Sequence, residues 1–419
     1  MDLLVRNVVI ADTDAGDVRR VDVGFADGRI AAIEPDIEGA AAGRVVDGEG
    51  CLAVPGFVET HIHLDKACIL DRCQLEHGTL EEALQQAGAA KRDFTVEDIF
   101  ARGARTIEKC IVQGTTRMRT HVEVDPVIGS KGIEAVRELR RRYQWAIDIE
   151  VCVFPQEGML NNPGTEELMV AALEDGATVI GGCPYTDSDP IAQIDRIFEL
   201  ARDHDVDIDF HLDFDISPDG MTVGRVCDNA ARYGWGGRVA IGHVSKLSAL
   251  PAEELAAVSK RMSDAGVALT VLPSTDLFLM RGGADHNVPR GVTPVHRVDA
   301  AGVCCSLSTN NVLNPFTPFG DGSLVRMANL YANIAQLATP AAHRRCLDYV
   351  THAAARLMRL DDYGFSVGNP ADLVLLDCRG PEQAVQELAV PLAGFKAGRR
   401  TFTRSRAELH APSSPAQPE

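Results

Sequence analysis

Between residues 56 and 310, eight apolar runs alternate with stretches that carry the periodicity of amphipathic helices. After a longer first gap the runs start about 30 residues apart, which is the length of one strand–helix–strand unit. They are apolar almost throughout, as expected of parallel strands buried on both faces. The runs are 56–64, 115–124, 147–155, 177–184, 206–214, 237–244, 266–273 and 302–310. Eight such strands, each followed by a helix, predict an α/β protein with a (β/α)₈ TIM barrel.

The two ends of the chain have a different texture. Short β-like pieces separated by Asp-Gly and Gly-Glu-Gly turns lie in 2–54, and the pattern returns in 371–376 and 394–403. We therefore predict a small β-sandwich domain built from both termini, a barrel domain and a flexible tail. These regions are 1–55 with 365–405, 56–364, and 406–419. Within the long first gap, an extra stretch at 75–94 is expected to cover the mouth of the barrel.

The chain carries a formal net charge of −19, from 60 acidic and 41 basic residues. Such a surface repels phosphate backbones and anionic lipid, which argues against nucleic-acid and membrane partners. A small neutral or cationic molecule is the expected partner, and we also expect a homo-oligomer. The first residues include acidic side chains and no long apolar core, and the eleven cysteines form no CxxC pair. These features predict reduced thiols and a cytoplasmic location.

Five of the 12 histidines fall at or near the ends of predicted strands. They are His61, His63, His121, His211 and His243. Functional groups of a TIM barrel lie where the carboxyl ends of the strands open onto one face, so these imidazoles are expected to gather there.

The spacing His61-Ile62-His63 places two imidazoles on the same side of a strand, because side chains alternate with a period of two. Two neutral imidazoles held side by side form a good binding edge for Zn²⁺ or Fe²⁺. An isolated His-x-His is more often a pair of ordinary polar residues on a strand. At the first strand of a barrel, with further histidines at later strand ends, the metal interpretation is favoured.

Four motifs resemble the amidohydrolase superfamily: GFVETHIHLDK, FPQEG, DIDFHLD, and Gly-His at the end of the sixth strand. The nearest branch is the cytosine deaminase group, which includes N-isopropylammelide hydrolase-like enzymes. The similarity extends to the closing NPADLVLLD. It implies one divalent metal ion, zinc or iron with manganese as a third option. The ligands implied are His61, His63, His211 and an aspartate of the eighth strand.

The resemblance also implies roles for Gln156 and His243. The Gln156 amide offers a donor and an acceptor, which complements a ring amide or amidine edge. The alternative for Gln156 is an exposed loop residue. His243 is expected to orient the attacking water or polarise the substrate, while the alternative is a structural histidine of the barrel interior.

Two departures from the family pattern concern proton transfer. Phe214 stands where cytosine deaminases have a proton-shuttling glutamate, and the alkylamine-releasing relatives also lack that glutamate. Asp213, predicted to share a strand face with His211, is the first candidate to replace it, and Asp215 is the second. The strand-eight aspartate matches Asn310, or Asn311 if the register slips by one residue.

An asparagine oxygen binds a metal weakly and cannot accept the proton of water. If Asn310 replaces the aspartate, the metal is expected to be held less tightly, and His243 or Asp213 must take the proton. Asn310 is retained as a candidate for both the metal site and the catalytic site.

Lys66 directly follows the histidine motif in the sequence HLDK. It is either a surface cation or an ammonium donor to a substrate oxygen. Phe154, Phe214 and Phe316 indicate a pocket less polar than cytosine requires, although phenylalanines are usually core residues.

The sequence therefore predicts a metal-dependent hydrolase that cleaves a C–N bond of a small nitrogen heterocycle, such as a pyrimidine or triazine. Either ammonia or an alkylamine would leave. The alternative is a catalytically impaired barrel that binds a small molecule or acts as a structural subunit, because two proton-handling carboxylates are missing. The segment His121-Val122-Glu123 matches half of another zinc deaminase signature, but the chain has no PCxxC. No phosphate-binding glycine loop precedes a helix.

Overall fold

All eight predicted barrel strands are present in the computed structural model, which describes residues 1–11, 18–38, 42–281 and 285–410. In chain order the strands are β1 (Leu3–Ala11), β2 (Val18–Ala26), β3 (Arg29–Glu34), β4 (Val45–Asp47), β5 (Leu52–Val54), β6 (Phe57–Ile62), β7 (Thr115–Glu123), β8 (Asp148–Phe154), β9 (Val179–Ile180), β10 (Asp207–Leu212), β11 (Val239–His243), β12 (Val267–Val271), β13 (Cys305–Leu307), β14 (Leu373–Leu376), β15 (Pro391–Lys396) and β16 (Arg399–Thr403).

The barrel consists of β6 to β13, which pair in parallel in the order of the chain. The ring closes at the first and eighth strands, where Ile62 and Asn310 form a parallel bridge. There the Asn310 N–H donates to the His61 carbonyl, and the His63 N–H donates to the Asn310 carbonyl, both at 2.9 Å. Closure therefore places Asn310 beside the histidine pair. The predicted (β/α)₈ fold is confirmed.

Helices lie in the connections between the barrel strands, after the last barrel strand, and between β14 and β15. They are α1 (Leu80–Ala90), α2 (Val96–Val112), α3 (Lys131–Tyr143), α4 (Thr165–Glu174), α5 (Pro190–His204), α6 (Val223–Tyr233), α7 (Ala252–Ala265), α8 (Pro273–Leu279), α9 (Val295–Ala300), α10 (Leu324–Ile334), α11 (Pro340–Asp348), α12 (His352–Leu357) and α13 (Pro381–Gln386). Local signals explain their starts: Asp189 caps α5 by accepting from Ala192 N–H, and Pro190 follows at the first helical position.

Two barrel strands are much shorter than predicted. The runs 177–184 and 302–310 contribute only β9 and β13. After β9 the chain passes close to β10 at Gly181, where an added Cβ would lie 2.6 Å from the Asp209 carbonyl oxygen. Only glycine permits this approach.

The stretch 75–94, which we call the lid segment, lies against the open end of the barrel. Thr79 caps α1 by accepting from Glu82 N–H. The buried Ala83 of α1 belongs to one apolar cluster with Phe214, which follows β10, and with Phe316, which follows β13. Because both phenylalanines come after strand ends, α1 covers the predicted mouth.

The termini form a second sheet with its own core. Strand β14 pairs antiparallel with β5, which joins the two ends of the chain in one eight-stranded mixed sheet. Its buried core includes Val23, Phe25 and Phe395. The predicted strand piece 394–403 is a hairpin instead, because Ala397 and Gly398 both adopt positive φ and reverse the chain.

Part of the predicted tail is in contact with this domain. Arg406 donates from Nε to Asp377 at 2.8 Å. Residues 411–419 lie outside the described residues. In the parts of the chain that the structure covers, no helix has the length and apolar character required to cross a bilayer.

Candidate active site

Three imidazoles from two strands converge inside the open end of the barrel. His61 and His63 project from the end of β6, and His211 projects from β10. The Nε2 atom of His211 lies 3.1 Å from the Nε2 atom of His61 and 3.1 Å from that of His63. All three side chains are buried. The predicted convergence of these three imidazoles is present in the geometry.

The electrostatics of this cluster favour neutral rings. Burial is the main cause that lowers the pKa of His61, His63 and His211 well below the usual histidine value. The neighbouring imidazoles add to it, because two adjacent rings cannot both be protonated without repulsion, and Lys66 adds to it for His63 and His211. Three neutral Nε2 atoms pointing at one another cannot all be satisfied by hydrogen bonds, because each imidazole carries a single proton. A divalent cation would accept all three lone pairs, so the donor set fits a metal ion such as zinc.

Asn310 supplies a fourth polar atom beside the imidazoles. Its Oδ1 is buried and has no hydrogen-bond partner among the described residues. Its Nδ2 lies 3.4 Å from His243 Nε2. Asn310 has a φ of 64°, an uncommon conformation for a residue other than glycine, and such conformations concentrate at functional sites. By contrast, Asn311 Oδ1 accepts from Asn314 Nδ2 at 2.6 Å, so the arrangement favours Asn310 over Asn311 as the ligand.

His243 forms a close pair with a carboxylate that the sequence analysis missed. Its Nδ1 lies 2.6 Å from Asp276 Oδ1, and both side chains are buried. Burial raises the pKa of Asp276, while the charge and hydrogen bond of His243 act in the opposite direction. An ionised Asp276 accepts the Nδ1 proton, which leaves the Nε2 lone pair of His243 facing Asn310. In the sequence, Asp276 is indistinguishable from an acidic residue in the first turn of α8.

Asp213 does not share the strand face of His211. The strand β10 ends at Leu212, and Asp213 has a φ of 46°, which breaks the alternation of side chains. Its carboxylate accepts hydrogen bonds from the N–H groups of Thr222 and Val223 at the start of α6. Burial raises the pKa of Asp213, and these hydrogen bonds lower it. Proton transfer by Asp213 stays a prediction, and this placement does not favour it.

The second-choice carboxylate, Asp215, is also engaged locally, because its Oδ1 accepts from Ile216 N–H at 2.6 Å. Phe214, between the two aspartates, packs on His243. Its ring centroid lies 4.1 Å from that of His243. An apolar ring therefore covers the histidine at the position of the deaminase glutamate.

Lys66 and Gln156 meet at the same end of the barrel. The Lys66 ammonium donates to Gln156 Oε1 and to Glu123 Oε2, both at 2.9 Å. Lys66 is 3% exposed and Gln156 is 7% exposed. These values exclude the surface-cation and exposed-loop interpretations. Lys66 Nζ also lies 5.1 Å from the ring centroid of Phe154 and 5.6 Å from that of Phe316.

A supporting layer lies next to the three imidazoles. His121, at the end of β7, stacks on His61 with ring centroids 3.7 Å apart. Asp209 lies 3.5 Å from His121 Nε2 and 4.0 Å from His61 Nδ1, and it receives a hydrogen bond from Arg119 at 2.9 Å. A carboxylate near the far nitrogen of a ligating histidine orients the ring.

Outside Phe214, a cavity of about 860 Å³ opens beneath the lid segment. Its lining includes Leu80 of α1, Tyr185, Phe214 and Leu279. Phe214 therefore separates this outer space from His243.

Comparison with known proteins identifies the chain's family. Residues 103–401 match the family model described as "Amidohydrolase family". The chain belongs to the amidohydrolase family. It is 29% identical to N-isopropylammelide isopropyl amidohydrolase of Pseudomonas sp. (strain ADP) over 407 residues, 95% of this chain and 96% of that protein. It is 27% identical to pterin deaminase of Rhizobium rhizogenes over 364 residues, 86% of this chain and 83% of that protein.

The solved structures include a similar amidohydrolase fold. The 5-methylcytosine deaminase of Klebsiella pneumoniae, liganded with 5-fluorocytosine, superposes with a TM-score of 0.92 at 26% identity. The alignment covers 98% of this chain and 99% of the deaminase. The family resemblance predicted from the motifs is thereby confirmed, and with it the assignment of the chain as a hydrolase.

Proposed function

We propose that this amidohydrolase replaces an amino or alkylamino group on a small nitrogen heterocycle with the hydroxyl of water. The convergence of three neutral Nε2 atoms at 3.1 Å spacing, next to the Lys66–Gln156 pair, carries the proposal. One cluster supports a metal site, and the other offers hydrogen bonds to a polar ring. Pterins, pyrimidines and triazines are the classes to test, because the similar proteins are named for heterocyclic substrates.

In this proposal His61, His63, His211 and Asn310 hold one divalent cation, zinc or iron, with manganese as a third option. When bound, such a cation lowers the pKa of a water molecule and polarises the carbon under attack. The Asn310 amide contributes an oxygen without a negative charge. The negative charge that the eighth strand lacks is instead present at Asp276, on the other side of His243.

His243 is the proposed proton carrier. With its Nδ1 proton held by Asp276, its Nε2 lone pair accepts a proton from the attacking water. The Asp276 carboxylate then stabilises the imidazolium by charge and hydrogen bond. The same Nε2 can return the proton to the departing nitrogen, so that ammonia or an amine leaves.

Lys66 and Gln156 are the proposed substrate-binding pair. Two of the three Lys66 ammonium hydrogens are used by Glu123 and Gln156, and no third acceptor lies within hydrogen-bond distance among the described residues. The remaining hydrogen is available to a ring oxygen of the substrate. The rings of Phe154 and Phe316 flank the ammonium and offer apolar faces to a planar heterocycle.

Phe214 favours alkylamine release over the deaminase reaction, because it replaces the proton-shuttling glutamate of the deaminases, which the alkylamine-releasing members of the family also lack. The alternative of an impaired or structural barrel gains no support from the comparisons, since the similar proteins are hydrolases. The His243–Asp276 pair also weakens the premise of that alternative, which is that the site lacks proton-handling carboxylates. A buried carboxylate is available for proton transfer even though Phe214 and Asn310 replace two others.

The test is a screen of aminated and N-alkylated pyrimidines, triazines and pterins, with detection of released ammonia or amine. Zinc, iron or manganese is supplied in separate arms. The expected result is turnover by the wild type and none by His61→Ala, with a matching loss of bound metal. His204→Ala, on the outer helix α5, is the matched control and should behave as the wild type. Absence of turnover across all arms, or full activity of His61→Ala, would refute the proposal.

A further inference from the structure

The lid segment sends one charged side chain into the barrel mouth. Lys91 follows directly after α1, and its side chain is 6% exposed. Its ammonium contacts three carboxylates: Glu123 Oε1 at 2.6 Å, Asp125 Oδ2 at 2.5 Å and Glu157 Oε1 at 2.7 Å. These three acids otherwise have the spacing of a cation site. The Lys91 ammonium occupies that position, so the cluster serves the lysine rather than a metal.

Glu123 connects Lys91 to the substrate-binding pair. One of its oxygens contacts Lys91, and the other contacts Lys66 at 2.9 Å. Lys66 in turn donates to Gln156 Oε1. Burial opposes ionisation of Glu123, but the two ammonium groups outweigh it and lower the pKa of this carboxyl to about 2. A series of ionic and hydrogen-bonding contacts thus connects the lid segment to Gln156.

The balance of charge between the Glu123 carboxylate and its two ammonium partners determines where the Lys66 ammonium lies. With Lys91 present, each oxygen of Glu123 has its own cation. Without it, Glu123 and Asp125 are buried anions, and the other ammonium that contacts Glu123 among the described residues is that of Lys66. At short range in a poorly solvated site, this attraction is strong. Lys66 would then move onto both oxygens of Glu123 and away from Gln156.

The orientation of the Gln156 amide depends on Lys66. Its Oε1 faces the ammonium, and its Nε2 lies 3.6 Å from Cys183 Sγ, a weak acceptor. Gln156 also has a side-chain hydrogen bond with Tyr185. If the contact with Lys66 is lost, neither the weak acceptor Cys183 nor the Tyr185 hydroxyl, which can both donate and accept, fixes one orientation of the amide against a half turn. The donor and acceptor that Gln156 offers to a heterocycle would then exchange places.

We propose that Lys91 is a positioning residue, which holds Lys66 on Gln156 through Glu123 and so defines the hydrogen-bond pattern offered to the substrate. Lys91 itself touches neither the substrate pair nor the three imidazoles. The inference rests on the proposed function only in taking Lys66 and Gln156 as the substrate-binding pair.

The direct test is a crystal structure of Lys91→Met, because it requires no substrate. The expected result is that Lys66 Nζ leaves Gln156 and binds both oxygens of Glu123, while the imidazole cluster keeps its spacing. The matched control is Lys396→Met. Lys396 is a similarly buried lysine held by Asp148 and Asp372 at a distance from the barrel mouth. Retention of the Lys66–Gln156 contact in Lys91→Met would overturn the proposal.

Kinetics provide the second measurement, with the best substrate of the screen and its analogue lacking the ring oxygen. Lys91→Met should raise KM for the oxygen-bearing substrate by about tenfold or more. The KM for the analogue should change far less, and so should the amount of metal bound by the protein. A purely structural role would change both KM values alike. A general loss of folding would lower the apparent kcat for both substrates and leave KM unchanged.

Lys91→Met could fail to fold, because it leaves buried acids unpaired. The double variant Lys91→Met/Asp125→Asn removes one negative charge together with the positive charge. It should fold and still show the selective rise in KM, since Glu123 remains without its second cation. Equal KM values for this variant and the wild type would contradict the proposal. Absence of bound metal or of turnover in the wild type would instead refute the proposed function and leave the crystallographic test of Lys91 standing.

Discussion

Replacing Asp276 with asparagine tests the proton-transfer scheme at its most specific point. The change is isosteric, so packing around the buried site is retained while the negative charge next to His243 disappears. In the wild type, Asp276 Oδ1 lies 2.6 Å from His243 Nδ1. If His243 becomes an imidazolium during the reaction, the carboxylate stabilises the cation and an asparagine does not.

The size of the effect follows from this geometry. With charge centres about 4 Å apart and an effective dielectric constant of about 20, the ion pair is worth about 4 kcal/mol. At about 1.4 kcal/mol for each factor of ten, the expected loss in kcat is about 10³-fold. The loss increases if the asparagine turns its Nδ2 toward His243 and reverses the tautomer. The aspartate-to-asparagine change in serine protease triads costs about 10⁴-fold for that reason.

The assay is amine release under saturating divalent metal, with metal content and Tm measured on the same preparations. Asp276→Asn should keep its metal and its Tm. Asp264→Asn, in an exposed pair with Lys260, is the matched control and should retain full activity. A loss of less than tenfold in Asp276→Asn would mean that His243 does not carry the proton with the help of this carboxylate.

Three further outcomes are expected. Asn310→Asp adds an anionic oxygen beside the imidazoles and should increase metal affinity, measured by competition with a chelator, by about tenfold or more; an unchanged affinity would exclude Asn310 as a ligand. Chelation should lower the Tm of the wild type, and zinc at about 100 times its Kd should restore about 2.7 kcal/mol of stability; His63→Ala should show neither response, and an equal response would place the metal elsewhere. The pKa of Glu123 is lowered from 4.5 to about 2, so its stabilising contribution is present above pH 4.5 and is lost as the pH falls toward 2. The difference in unfolding free energy between the wild type and Glu123→Gln should shrink across that range, and a constant difference would refute the ion-pair assignment.

Much of the candidate metal site could be predicted because its signals are local. The alternation of side chains along a strand places His61 and His63 on one face without any tertiary information. The same rule failed for Asp213, because strand β10 ends at the preceding residue. Asp213 itself has a left-handed backbone conformation, which turns its side chain toward α6. Period-two reasoning holds only where the backbone stays extended.

The residues that the sequence analysis missed are joined by contacts between distant parts of the chain. Asp276 follows His243 by 33 residues, and Lys91 precedes Glu123 by 32. In the sequence one is an ordinary acid at a helix start and the other an ordinary lysine after a helix. Their burial and their partners depend on how the loops at the barrel mouth fold over one another.

The sequence by itself determined the succession of eight buried strands, the paired histidines and the family. The length of an apolar run, its apolar content and its alternation are properties of neighbouring residues, so they do not depend on the tertiary fold. Only the tertiary structure decided where the charges meet: Asp276 on His243, Lys91 and Lys66 on one carboxylate, and Asn310 at the closure of the barrel. Buried charges are stable only beside their partners, and the closed fold brings those partners together.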